Sequence, residues 1–202
     1  MRTLFLVLLI WFLTTLHSPL FGQSSDQSTV EHYSQPGLSL NYSPHSFRAW
    51  GKIQNSKMAF INGQVWHTSI NLRNVKARVG SELIFTHWVQ FPEDGLEGAK
   101  DQRIGVGLVP IHMILPFTEK SVTPFTSASL GVIFFNDRLP AVKGAALNYK
   151  LSVGMGLEIP LPSDHRFQLG YRIQHISNGN SSTENPGIDS HVFFANLIFS
   201  NW

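Results

Sequence analysis

The densest group of reactive side chains lies near the C-terminus, between Gln174 and His191. His175 and Ser177 are two positions apart, so on a β-strand they face the same side. A serine hydroxyl is a weak nucleophile unless a nearby base takes its proton, and that base needs a third group to orient it. Asp189 begins the next predicted strand, across a hairpin from His175. The spacing therefore predicts a serine nucleophile, Ser177, with His175 as its base and Asp189 as the group that orients the base.

Other features of the sequence narrow the kind of catalysis that these residues can carry out. Asn178, or its backbone N–H, is a candidate for stabilising the oxyanion that forms when an ester is attacked. The chain contains no cysteine, which excludes disulfides, thiol catalysis and cysteine-ligated metals. None of the nine histidines has metal-ligand spacing with carboxylates, so we expect no metal site. Acyl transfer to Ser177 followed by hydrolysis by water requires no cofactor.

Strict alternation of apolar and polar residues indicates the elements that carry these groups. Between Leu147 and Ile159 every odd position is apolar, whereas the even positions are small, polar or charged. The segment 167–173 alternates in the same way, and in 79–91 we place Val79, Leu83, Phe85, Val89 and Phe91 on one face. Such alternation is typical of a β-strand with one apolar face.

The length of these strands favours a membrane barrel over a soluble sandwich. They run to about a dozen residues, whereas ordinary strands average about five or six and transmembrane strands need about nine to eleven. We predict an all-β fold, an eight-stranded antiparallel transmembrane β-barrel of the outer membrane. The predicted strands are 37–45, 58–69, 78–91, 103–116, 122–135, 146–159, 166–177 and 188–200. Long connections at 92–102, 136–145 and 178–187 alternate with short ones, as in barrels with long extracellular loops.

The N-terminus predicts export from the cytoplasm. Arg2 precedes an apolar run from Leu4 to Leu16, which is the pattern of a secretory signal peptide. We therefore divide the chain into a signal peptide at 1–22, an N-terminal extension at 23–36 and a barrel domain at 37–202. Charged residues make up only 14% of the chain and the net charge is +2, which is too small to imply a nucleic-acid partner. The expected location is the outer membrane of a Gram-negative bacterium.

The predicted reactive face points toward lipid. His175 and Ser177 continue the apolar stripe formed by Phe167, Leu169, Tyr171 and Ile173. Polar groups at this place lose water, and they make sense if the substrate is itself a membrane lipid. The last strand leaves two alternatives open, because both its odd positions, which include Asp189, and its even positions are rich in apolar residues.

The stretches HISN at 175–178 and NPGID at 185–189 resemble the lipid A 3-O-deacylase (PagL) family of eight-stranded outer-membrane barrels. Residues 107–135 also resemble the middle strands of that family. The resemblance implies that His175 is the general base, Ser177 the nucleophile and Asp189 the acid of a triad. It places Asn178 in the oxyanion hole and gives Asn185 a supporting role in the loop. The substrate would be lipid A of lipopolysaccharide, cleaved at its 3-O-linked acyl chain.

Several alternatives stay open. The familiar family members carry glutamate where this chain has Asp189, so the shorter side chain puts its reach to His175 in question and makes Glu184 an alternative acid. The main rival function is a non-catalytic structural or adhesion barrel. A phospholipase or an acyltransferase on the same scaffold is a third hypothesis. The sequence also leaves open which acyl position is cut and whether the protein forms a homodimer.

Overall fold

The computed structural model describes residues 30–72, 75–118, 121–139 and 144–200. The predicted signal peptide and the extension up to residue 29 lie outside these ranges. The described residues form nine β-strands and one short 3-10 turn, Pro162–Asp164. The strands are β1 Val30–Ser43, β2 Ser46–Phe47, β3 Lys57–Leu72, β4 Val75–Pro92, β5 Lys100–Pro116, β6 Thr123–Leu139, β7 Ala145–Pro160, β8 Arg166–Ser177 and β9 Ile188–Ile198. In the part of the chain so described, no helix is long and apolar enough to cross a membrane.

The strands close into an antiparallel barrel. Each long strand pairs with its neighbour in the order β1, β3, β4, β5, β6, β7, β8, β9, and β9 pairs back with β1 from Gly37–Ile198 to Tyr42–Phe193. The short β2 continues the same edge and pairs Phe47 with Asp189. The prediction of eight long antiparallel strands is confirmed. The first strand begins at Val30 rather than at 37, because residues assigned to an extension pair with β3.

The two faces of the barrel differ in polarity. On β7 the side chains of Leu147, Tyr149, Val153, Met155 and Leu157 point outward and are exposed. The residues between them point into the barrel, where four charged side chains of the barrel are buried: Glu82, Lys150, Glu158 and Arg172. An apolar outer wall around a polar interior is the arrangement of a barrel that sits in a bilayer.

The prediction for the end of β4 was wrong. Val89 and Phe91 were placed on the outer face with Leu83 and Phe85, but both are buried inside the barrel. The register of β4 against β5 shifts between Ile84 and His87. A bulge inserts one unpaired residue, so every side chain beyond it changes face. Val89 and Phe91 thereby join an internal apolar cluster that also contains Ile176 and Ile188.

Charged side chains fill the middle of the barrel. Glu82 lies 2.6 Å from His112 Nδ1, 3.7 Å from Lys150 Nζ and 4.0 Å from Arg172 Nη1. Glu158 forms a second ion pair, 2.6 Å from Arg78. An eight-stranded barrel is just wide enough for side chains to fill it, and these ion pairs fill its middle.

The two ends of the barrel differ in the length of the connections between strands. At one end, which we call the loop end, the strands are joined by 44–56, 93–99, 140–144 and 178–187. At the other end they are joined by 73–74, 117–122 and 161–165. The third long connection is shorter than predicted because β6 continues to Leu139. The reactive residues of β8 and β9 lie at the loop end.

Candidate active site

The hairpin of β8 and β9 sets the position of the reactive residues. The two strands pair without a register shift from Arg166–Ile198 to Ile176–Ile188, and His175 lies directly opposite Asp189. The even residues Val192, Phe194 and Ile198 are buried inside the barrel, so the odd residues of β9 face outward. This pairing decides the alternative that the sequence left open. Asp189 belongs to the outer face, together with His175.

His175 and Asp189 form a close pair. His175 Nδ1 is 2.6 Å from Asp189 Oδ1. The imidazole is 21% exposed, whereas the carboxylate is 1% exposed. An ionised carboxylate only accepts hydrogen bonds, so it favours the tautomer with the proton on Nδ1. Nε2 of His175 is then left as a proton acceptor.

The second oxygen of Asp189 is held by a distant part of the chain. Asp189 Oδ2 accepts hydrogen bonds from the backbone N–H groups of Ala49 at 3.1 Å, Trp50 at 2.6 Å and Gly51 at 2.6 Å. These residues lie in the connection between β1 and β3, and we call residues 48–52 the strap. Both carboxylate oxygens of Asp189 are therefore engaged, one by the imidazole and the other by the strap.

The strap lies directly against the start of β9. A Cβ on Gly51 would lie 2.8 Å from the backbone carbon and oxygen of Gly187, which only a glycine avoids. Hydrogen bonds from Lys52 N to Pro186 O (2.5 Å) and from Ile53 N to Gly187 O (3.2 Å) fix the contact. The Trp50 ring meets the His175 ring edge-on, with 5.9 Å between centroids. The sequence reasoning missed this strap, because Gly51 is its only local signal.

Ser177 ends β8 on the same outer face as His175. It pairs with Tyr149 of β7 and is partly exposed. In the ranges that the structure covers, the Ser177 hydroxyl has no hydrogen-bond partner. His175, Ser177 and Asp189 lie on one face of the barrel wall, as predicted. Their catalytic roles stay a prediction at this point.

The loop after Ser177 is ordered by its asparagines. Asn178 donates its backbone N–H to Asn185 Oδ1 at 3.0 Å and its side-chain amide to the Glu184 carbonyl at 2.8 Å. Its Oδ1 accepts the N–H of Asn180 at 2.9 Å. The side chain of Asn178 is fully buried. Asn178 and Asn185 thus tie the two ends of the loop together, and Glu184 lies exposed within it.

The arrangement suits acyl transfer at a lipid-facing wall. A buried carboxylate orients an imidazole, and a hydroxyl lies two residues away on the same face, which are the parts that activate a serine nucleophile. Among the residues that the structure describes, no group of three or more acidic or histidine side chains is placed to hold a metal ion.

Comparisons with known proteins relate the chain to outer-membrane barrels. A family model described as lipid A 3-O-deacylase (PagL) matches residues 37–197. The crystal structure of the outer membrane enzyme PagL superposes with a TM-score of 0.58 at 18% identity, covering 79% of this chain and 97% of that one. Neisserial surface protein A gives a TM-score of 0.45 at 12% identity, covering 85% of this chain and 98% of its own. Ail of Yersinia pestis gives 0.38 at 11%, covering 82% and 99%. No curated protein sequence matches the chain.

Proposed function

The chain belongs to the lipid A 3-O-deacylase (PagL) family, and we propose that it is an outer-membrane serine esterase that removes the 3-O-linked acyl chain of lipid A. One observation carries the mechanism within that family. His175 lies 2.6 Å from a carboxylate whose other oxygen is already occupied, on the same lipid-facing wall as Ser177. A lipid ester can reach this wall from the bilayer without entering the barrel.

The reaction divides into two acyl transfers. In the first, Ser177 Oγ attacks the ester carbonyl while His175 Nε2 takes the hydroxyl proton, and Asp189 stabilises the imidazolium that forms. The tetrahedral intermediate collapses, the sugar oxygen leaves with the proton from His175, and the acyl chain stays on Ser177. In the second, His175 takes a proton from water as the water oxygen attacks the acyl-enzyme, and it returns that proton to Ser177 Oγ when the acyl–Oγ bond breaks. The products are a fatty acid and the free serine.

The oxyanion needs a donor near Ser177, and the structure favours the turn that follows it. The backbone N–H and the side-chain amide of Asn178 already donate within the loop. Within the described residues, the backbone N–H of Gly179 has no acceptor, and Gly179 adopts a left-handed φ of 62°. We assign oxyanion stabilisation to this N–H. Asn178 and Asn185 then hold the turn in place.

The topology of the barrel supports lipid A as the substrate. Barrels of this class have short periplasmic turns and longer extracellular loops. The loop end is therefore extracellular, and Ser177 and Asp189 lie at the level of the outer leaflet. Lipopolysaccharide occupies that leaflet, and its acyl chains run down the outer wall below the site.

Mass spectrometry of lipid A from expressing cells tests this proposal. The wild-type chain is expected to remove one ester-linked acyl chain, and Ser177→Ala is expected to remove none. Ser181→Ala is the matched control, because Ser181 is an exposed serine of the same loop. Folding of each variant is checked by its heat-modifiable migration in gels. If the folded wild type and the folded Ser177→Ala variant both leave lipid A unchanged, the esterase proposal is wrong and the protein is a structural barrel.

A further inference from the structure

The outer side of the strap presents three large side chains at the active site. Arg48, Trp50 and Lys52 are exposed, whereas the residues between them are turned toward β9. The backbone N–H groups on Asp189 Oδ2 fix this orientation. Trp50 lies against the imidazole of His175, and Arg48 and Lys52 are exposed two residues before and after it on the strap.

The charges of Arg48 and Lys52 have no counter-charge among the residues that the structure describes. Other arginines of the barrel are paired: Arg103 lies 2.6 Å from Asp101, and Arg78 lies 2.6 Å from Glu158. Across the described ranges, neither Arg48 nor Lys52 has an ion-pair partner. The segment 44–57 contains no aspartate or glutamate at all. An anion is therefore the missing partner of this surface.

We propose that the strap recognises the headgroup of the substrate, with Arg48 and Lys52 binding phosphate on a phosphorylated sugar lipid and Trp50 packing against the sugar. This inference rests on the proposed function. Arginine binds phosphate through paired N–H groups and lysine binds it as a point charge. Residues 48 and 52 are at most about 14 Å apart, even along an extended chain, so both side chains can contact one headgroup. The strap then holds both the orienting acid and the headgroup.

The test compares two double variants, each of which removes two positive charges, on two forms of one lipid. Arg48→Gln/Lys52→Gln removes the strap cations. Lys57→Gln/Lys100→Gln removes the same charge from the loop end outside the strap. Each protein is assayed in detergent micelles on phosphorylated lipid A and on the same lipid after its phosphates are removed. Exposed ion pairs contribute up to about a fivefold change in affinity each, so we expect the strap variant to lose about tenfold in kcat/KM on phosphorylated lipid A.

Two further results are expected if the inference is correct. On dephosphorylated lipid A the strap variant and the wild type have equal kcat/KM, because the catalytic residues are untouched. The control double variant matches the wild type on both lipids. An equal loss on both lipids, or the same loss in the control, overturns the inference.

Binding measurements separate this inference from the esterase proposal. In a Ser177→Ala background, the strap variant is expected to bind micelles of phosphorylated lipid A about tenfold more weakly, whether or not the 3-O ester is the bond cleaved. Equal binding of the two proteins overturns headgroup recognition even if Ser177 is the nucleophile. Inorganic phosphate at millimolar concentration is expected not to displace the lipid. Full displacement by inorganic phosphate assigns the site to free phosphate and overturns headgroup recognition.

Discussion

Replacing Asp189 by asparagine most directly tests the proposal that Asp189 orients His175 as the general base. Asp189 Oδ2 accepts three backbone N–H groups from the strap. An NH₂ group cannot accept any of them, so the amide oxygen of the substituted side chain must face the strap and its NH₂ must face His175. Nδ1 of His175 then has to accept a hydrogen bond, and the ring proton moves to Nε2. In that tautomer, His175 cannot take the proton of Ser177.

We therefore expect a loss in kcat rather than in substrate binding. Inverting the histidine tautomer in a Ser–His–Asp triad lowers kcat by about 10⁴-fold while the geometry stays intact. For Asp189→Asn we expect a loss of about 10³- to 10⁴-fold in kcat. KM is expected to stay near the wild-type value, since the wall that contacts the acyl chain is unchanged.

The assay is hydrolysis of purified lipid A in detergent micelles, with released fatty acid measured over time. Asp94→Asn is the matched control, because it removes one carboxylate from another loop at the same end of the barrel. Its kcat is expected to equal that of the wild type. If Asp189→Asn keeps more than about a tenth of the wild-type kcat, Asp189 does not orient His175 and the reasoning is wrong.

Three other substitutions probe the surroundings of the pair. Glu184→Gln is expected to keep the wild-type kcat, because Asp189 already holds the imidazole; a tenfold loss would make Glu184 the orienting acid. Gly51→Val is expected to lower kcat at least about tenfold and to expose the strap to proteolysis, since its Cβ would lie 2.8 Å from Gly187 O; an intact strap with full activity would contradict this. Glu82→Gln leaves buried cations unpaired and is expected to destabilise the barrel by about 3 kcal/mol, measured by urea unfolding, and an unchanged midpoint would refute it.

Much of the fold could be predicted because the alternation of apolar and polar residues shows which side chains of a strand point outward and which point into the barrel. The period of two along β7 and β8 placed the outward residues correctly, and with them His175 and Ser177. The pairing of His175 with Asp189 followed from the length of one hairpin. Both inferences depend on neighbours along the chain, where local sequence is informative.

Features that depend on barrel closure left little trace in the sequence. The strap reaches Asp189 only because β1 lies beside β9, and its N–H groups are separated from the carboxylate by 138 to 140 positions. Backbone donors carry no residue-type signal. The bulge in β4 was missed for another reason. The interior at the loop end is apolar, so apolar residues such as Val89 and Phe91 fit either face, and their alternation does not show the change of face.

The structure answers the question of reach that the short side chain of Asp189 raised. At position 189 the carboxylate already lies 2.6 Å from His175 Nδ1, directly across the strand pair. A charged group on a lipid-facing wall must have its hydrogen-bonding capacity filled, since lipid supplies no donors. The imidazole and three N–H groups fill it here, so the short acid and the close strap form one matched unit.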